Sequence, residues 1–145
     1  FANMFGLPRA RKNERKLIER ARQIAEMLRL EDQLNNEVKN LPYGVQKRVE
    51  MARALASNPE IILLDEPVAG CNEEETADLK EIIQHVNREL GITVFLVEHD
   101  MSMVMSICDY IYVINFGANL AEGTPAEIQS NSDVIKAYLG EEDET

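Results

Sequence analysis

No apolar run in this 145-residue sequence approaches the roughly eighteen residues needed to cross a bilayer, and no charged-then-apolar leader opens it. The expectation is a soluble chain that is not exported by itself. Cysteine is scarce. Cys71 and Cys108 are the only two, too few for a disulfide scaffold or a thiolate metal site, and a reducing cytoplasm suits them. Internal repeats and low-complexity tracts are also lacking. Basic charge is thin beyond the first 22 residues, which carry seven basic side chains (Arg9, Arg11, Lys12, Arg15, Lys16, Arg20, Arg22) against two acids. The rest of the chain carries eight basic and 24 acidic side chains, within a net charge of -11. Gripping a phosphate backbone takes a broad basic face, so nucleic acid is not an expected partner. The basic run reads as a solvated helix face, with a contact to a partner or to lipid headgroups as the other reading, and the acidic Glu141 to Glu144 as a frayed terminus. Methionine is missing from position 1, where Phe1 stands. The expectation is that the natural beginning lies upstream and that this is a fragment.

What is present is ordered. Leu17, Ile18, Ala21, Ile24, Ala25 and Leu28 recur at helical spacing between Arg11 and Leu30, which predicts one long amphipathic helix. A second helix is expected from Val45 to Ala56, closed by Asn58-Pro59. Ile61 to Leu64 is a short apolar run that reads as a strand covered on both faces. Asn72 ahead of three glutamates then caps a helix running to about Leu90 and stopped at Gly91. Ile92 to Val97 reads as a strand, Met101 to Cys108 as a helix, and Ile111 to Asn115 and Asn119 to Glu122 as strands. Short helices at Pro125 to Gln129 and Ser132 to Leu139 follow. Alternation of strand and helix from residue 61 onward argues for an α/β layered fold with a mostly parallel sheet.

Chemistry gathers at four places in this order. "NLPYGVQKRVEMARAL" (40–55) is a loop whose Gly44 leads straight into a helix, and helix N-termini present amides and positive dipole to anions. "IILLDEP" (61–67) sets Asp65 and Glu66 where a strand emerges, the end at which parallel sheets bind ligands. Asp65 is the candidate for holding Mg²⁺, and Glu66 for polarising a water that attacks a phosphoryl group. An acidic pair at a strand end also opens an ordinary solvated turn. "VAGCN" (68–72) is a tight turn, and "TVFLVEHD" (93–100) is a strand ending in His99, the candidate for contacting a terminal phosphate.

With these four stretches in this order, the sequence resembles the C-terminal part of an ABC-type ATPase subunit, and within that superfamily the ATP-binding subunits of branched-chain amino acid importers. "LPYGVQKRVEMARAL" is similar to the signature loop and its helix, "IILLDEP" to the Walker B strand, "AGCN" to the D-loop and "VEHD" to the switch-histidine loop. "GTPAEIQSNSDVIKAYLGE" (123–141) resembles the tail of the importer subgroup. The resemblance implies a P-loop NTPase-type core lobe over residues 59–145 and a helical subdomain with the signature loop over 1–58. It implies ATP and Mg²⁺ as cofactors, with Asp65 on the metal and Glu66 and His99 catalytic. Tyr43, Gly44, Val45 and Gln46 of the signature and Gly70 and Asn72 of the D-loop would then bind nucleotide. The implied partners are a second ATPase subunit, which closes an ATP sandwich, and transmembrane permease subunits, so the assembled chain would lie in the cytoplasm against the inner membrane. Self-association of the fragment is expected as well. ABC ATPases of chromosome maintenance carry a long coiled coil before the signature, and here only one ordinary helix precedes it. A docking module that turns over no nucleotide is the other reading.

Departures from the family pattern are specific. The usual signature is Leu-Ser-Gly-Gly-Gln, and here Leu41-Pro42-Tyr43-Gly44-Val45 stands in its place. Pro42 offers neither hydroxyl nor N–H, so part of the phosphate grip is lost. Cys71 and Asn72 replace the commoner Leu and Asp of the D-loop. None of the seven glycines is followed by lysine, so the motif G-x-x-x-x-G-K-S/T does not occur in these residues. Most phosphate contacts in this fold come from that loop. The 145-residue chain by itself is therefore expected to bind Mg-ATP more weakly than about 10 μM, and tighter binding by calorimetry contradicts this.

Overall fold

The computed structural model describes residues 8–138. The acidic tail, Leu139 and the final residues of the importer-like ending lie outside the described residues, as does any side-chain account of Arg9. Helix α1 spans Pro8–Met27 and α2 spans Tyr43–Ala56, with two short 3₁₀ turns, Glu31–Gln33 and Val38–Asn40, between them. Strand β1 is Ile61–Asp65, α3 is Glu73–Arg88 and β2 is Thr93–Val97. Then come α4 (Met101–Ile107), β3 (Ile111–Asn115), β4 (Ala118–Gly123), α5 (Pro125–Gln129) and α6 (Ser132–Tyr138). Every element expected from the sequence forms. The second helix begins two residues earlier than its apolar pattern, at Tyr43, because Pro42 ends the extended chain and Gln46 closes the first turn on its carbonyl at 3.0 Å.

The chain divides into two compact units, one ending at Val97 and the other beginning at Glu98. In the first, Ile24, Ala25 and Leu28 of α1 are buried, as are Met51 and Leu55 of α2 and Leu79, Ile82, Ile83 and Val86 of α3. α1 ends with Arg29 in a left-handed conformation (φ 55) and the Leu30 amide bonded to the Ala25 carbonyl at 2.8 Å. That is a Schellman cap, normally made by glycine. Arg29 bears the strain because its guanidinium reaches Asp78 and Glu81 of α3, both at 2.7 Å. The hydrogen bond to Glu81 is the largest cause raising its pKa.

β1 and β2 pair in parallel, in register from Ile61–Thr93 to Asp65–Val97. The strand expected to be covered on both faces is covered on one. Ile62 is buried, but Ile61 and Leu63 are 53% and 73% exposed, and Phe95 and Val97 of β2 are 52% and 48% exposed. Successive side chains of a strand point to opposite faces. α3 packs against β2, and the alternate residues form an apolar surface toward solvent.

The second unit is built on an antiparallel hairpin. β3 and β4 pair from Ile111–Gly123 to Asn115–Ala118, with a bulge at Val113/Ile114. Phe116 and Gly117 take positive φ in the two-residue turn, the backbone that a tight hairpin demands. A two-residue link admits no crossover, so this pair is antiparallel while β1 and β2, joined through α3, are parallel. Val104, Ile111, Val113, Ile128 and Val134 form the core of this unit.

Contiguous apolar surface of the β1–β2 kind drives association. The 16.4 kDa chain is expected to scatter light as a dimer or larger, and Leu63→Lys with Phe95→Lys to bring the mass down toward the monomer. A monomeric parent chain across a wide concentration range contradicts this.

Candidate functional site

Strand β1 ends abruptly at its acids. The Glu66 amide donates to the Val97 carbonyl at 2.9 Å, the last bond of the parallel ladder, and Glu66 itself is left-handed at φ 44. For a residue with a Cβ this costs about 1–2 kcal/mol. Strain of this kind persists where surrounding structure imposes it, and it concentrates at functional positions. Asp65 and Glu66 are both exposed and stand at the same sheet edge as the end of β2.

From Glu66 the chain curls back on itself. The Ala69 amide donates to the Glu66 carbonyl at 3.2 Å and the Cys71 amide to the Val68 carbonyl at 3.0 Å. Gly70 follows at φ 77, and a Cβ there would lie 3.3 Å from Cε1 of Tyr43. So the 68–72 turn and the loop that opens α2 lie against each other, with the Tyr43 ring beside Gly70. Lys47 stands over the Tyr43 ring, Nζ 5.4 Å from its centroid. Asn72 then begins α3 in a capping box. Its side chain accepts from the Glu75 amide at 2.9 Å, while the Glu75 carboxylate accepts from the Asn72 amide at 3.0 Å. Such a cap contributes about 1 kcal/mol.

The signature residues open α2. Pro42 is the N-cap and supplies no side-chain bond. The first-turn amides of Tyr43, Gly44 and Val45 have no partner within their own helix. Gly44 finds one in Glu75, whose Oε1 accepts its amide at 3.2 Å. Val45 is half-buried in the first turn. Gln46 braces the loop from within, its side-chain amide donating to the Leu41 carbonyl at 2.8 Å.

His99 belongs to the second unit. Its ring is largely exposed, with Nδ1 3.7 Å from Oε2 of a fully buried Glu98 side chain, and its own amide donates to that carboxylate at 3.1 Å. Asp100, next along, caps α4 by accepting from the Met103 amide at 3.0 Å and from the Ser102 hydroxyl at 2.7 Å. The Met103 amide is the main reason its pKa lies below the ordinary carboxylate value. A depressed carboxylate contributes stability above its unfolded pKa and loses it as pH falls through the folded value, so the α4 cap is an acid-labile element.

Structure thus brings Tyr43, Gly44, Gly70 and Asn72 together and sets Asp65 and Glu66 at one sheet edge. Two participants escaped the sequence reading. Glu75 is visible there as the third residue after a cap, but its reach to Gly44 is a tertiary fact. Glu98 reads as part of a strand-end motif, and nothing in the pattern announces its burial. Among the described residues no group of three or more His, Cys, Asp or Glu side chains is arranged to hold a metal.

Comparison with known proteins points to one group of relatives. The family described as "ABC transporter" matches residues 2–69, and "Branched-chain amino acid ATP-binding cassette transporter" matches 118–144. The high-affinity branched-chain amino acid transport ATP-binding protein BraF of Pseudomonas aeruginosa is 49% identical over 97% of this chain and 55% of its own length. LivG of Escherichia coli, of the same description, is 44% identical over 97% of this chain and 55% of its length. The chain is similar to ABC transporter ATP-binding proteins over nearly its whole length. Its fold agrees. The ADP conformation of MJ1267, an ATP-binding cassette of an ABC transporter, superposes with a TM-score of 0.77 at 31% identity, over 86% of this chain and 50% of that one. CbiO1 of Clostridium perfringens, part of the transporter complex cbiONQ, gives 0.76 at 28% identity, over 85% and 49%. The chain spans about half the length of the curated relatives it matches.

The φ of Glu66 supplies a test that needs no nucleotide. Glu66→Gly and Glu66→Ala remove the same carboxylate, but only glycine accepts φ 44 freely. The glycine variant is expected to be the more stable of the two by about 1 kcal/mol, read from urea midpoints. Equal midpoints contradict the strain.

Proposed function

We propose that this chain is the signature-bearing and Walker B part of the ATP-binding subunit of an importer for branched-chain amino acids, coupling ATP hydrolysis to uptake through membrane permease subunits. One observation carries the reading: 49% identity to BraF over 97% of this chain. Among the described residues no helix is long and apolar enough to cross a membrane, which suits a subunit that works beside a permease at the cytoplasmic face.

The proposed roles follow from chemistry. Asp65 presents one exposed carboxylate, a donor set that fits Mg²⁺, which keeps most of its waters and takes one or two carboxylates together with phosphate oxygens. When bound, that ion neutralises charge on the phosphates. Glu66 orients the attacking water and accepts its proton on the carboxylate, and the role proposed for His99 is contact with a terminal phosphate. Tyr43, Gly44, Val45 and Gln46 form the signature surface, with Gly70 and Asn72 beside it, offered to nucleotide held by a second ATPase subunit.

The test uses this chain expressed behind the N-terminal half of BraF. Glu66→Gln is expected to keep ATP binding and lower turnover by about 10² to 10⁴. Asp65→Asn is expected to weaken the magnesium-dependent part of binding as well, and His99→Ala to resemble Glu66→Gln. Single-turnover hydrolysis within about threefold of the parent for Glu66→Gln overturns the assignment. No hydrolysis by the parent joined protein favours a docking module instead.

A further inference from the structure

Glu75 holds two loops at once. Its Oε1 accepts from the Gly44 amide at 3.2 Å and its Oε2 from the Asn72 amide at 3.0 Å. Capping α3 explains the second bond. It does not explain the first, because Gly44 lies 31 residues away on another helix and a capping glutamate needs only one of its oxygens. The approach is close. A Cβ on Gly44 would stand 2.7 Å from Cδ of Glu75, so only glycine leaves the carboxylate this position without a shift. The Tyr43 ring against Gly70 joins the same two loops a second time.

Charge gives the contact its consequence. A carboxylate at the N-terminus of the 14-residue α2 is favoured by the helix dipole, as any anion there would be. One N–H serves one strong acceptor well, and two anions crowded onto it repel. We infer that Glu75 is a positioning residue: it latches the signature loop to the D-loop and keeps the Gly44 amide until a phosphate group displaces it. The displacement step rests on the ATP-binding reading above, and the latch itself does not. Glu75 then opposes nucleotide closure on the signature surface, and D-loop and signature loop part when nucleotide arrives.

Two measurements test this. Glutamine at this position still caps a helix through its one carbonyl oxygen, but it brings neither the charge nor a second acceptor to Gly44. In the protein joined to the BraF half, Glu75→Gln is expected to lower KM for ATP by about three- to tenfold with kcat within about threefold, and to leave Tm within about 2 °C. A KM that stays level or rises overturns the displacement. The latch is tested on the full 145-residue chain by thermal unfolding of Gly44→Ala, Glu75→Ala and the double variant. Gly44→Ala is expected to lower Tm by several degrees in the parent, and to leave it level or raise it in the Glu75→Ala background, where the methyl has room and alanine is the better helix former. The same drop in both backgrounds overturns the latch. Since unfolding involves no turnover, a joined protein that hydrolyses no ATP removes the proposed function and the displacement step with it, while the double-variant cycle still decides the latch.

Discussion

Strand β1 cannot continue past Asp65, and the architecture of the first unit's candidate site depends on how it stops. Parallel pairing with β2 reaches as far as the Glu66 amide on the Val97 carbonyl, and that bond holds Glu66 at a φ its Cβ disfavours. From this forced turn the next residues curl inward in two short hydrogen-bonded steps. Gly70 then passes within contact of Tyr43, and Asn72 arrives where it can cap α3. Had the strand run one residue further, Glu66 would be extended in place of left-handed, and the turn that brings Gly70 to Tyr43 and Asn72 to the start of α3 would be displaced. The strain at Glu66 and the meeting of the two loops are parts of one geometrical requirement.

Much of this was legible in the residues. Asn72 with Glu75 three residues on is a local capping signal, Gly91 closes α3, and the β-branched run before Glu98 is a strand by composition alone. The start of α2 was misjudged by two residues, because apolar periodicity is silent about Tyr43 and Gly44, whose place is set by Pro42. Coverage of β1 was misjudged for a different reason. A run of four apolar residues says that both faces tolerate burial, and says nothing about which face this chain covers. What the sequence could not carry at all is contact between segments: Glu75 with Gly44, Tyr43 with Gly70, and Arg29 with the two acids of α3.

Arg29 and Glu66 repeat one physical theme. Each sits in left-handed backbone that glycine would occupy more cheaply, and each is a long charged side chain at the end of a regular element. At Arg29 the compensation is visible, two carboxylates at 2.7 Å on α3. These pairs are half exposed, so their Coulomb energy is modest, and they tie the residue after α1 to α3. At Glu66 the ladder bond to Val97 is one compensation, and the geometry it creates at the strand end is the other.

Pro42 ties the signature departure to Glu75. A serine before the first turn of α2 could accept from one of its orphan amides through its hydroxyl. Proline has no such group, and α2 has no side-chain cap of its own. A first-turn amide left buried and unpaired would cost about 1–3 kcal/mol, and Gly44 is buried. The carboxylate of Glu75 meets that need from outside the helix. It can do so only because residue 44 lacks a Cβ and because the capping box on α3 already aims Glu75 toward the D-loop. The substitution that removes a local cap therefore makes a tertiary one necessary, and it converts a glutamate whose local task is to start α3 into the link between two loops.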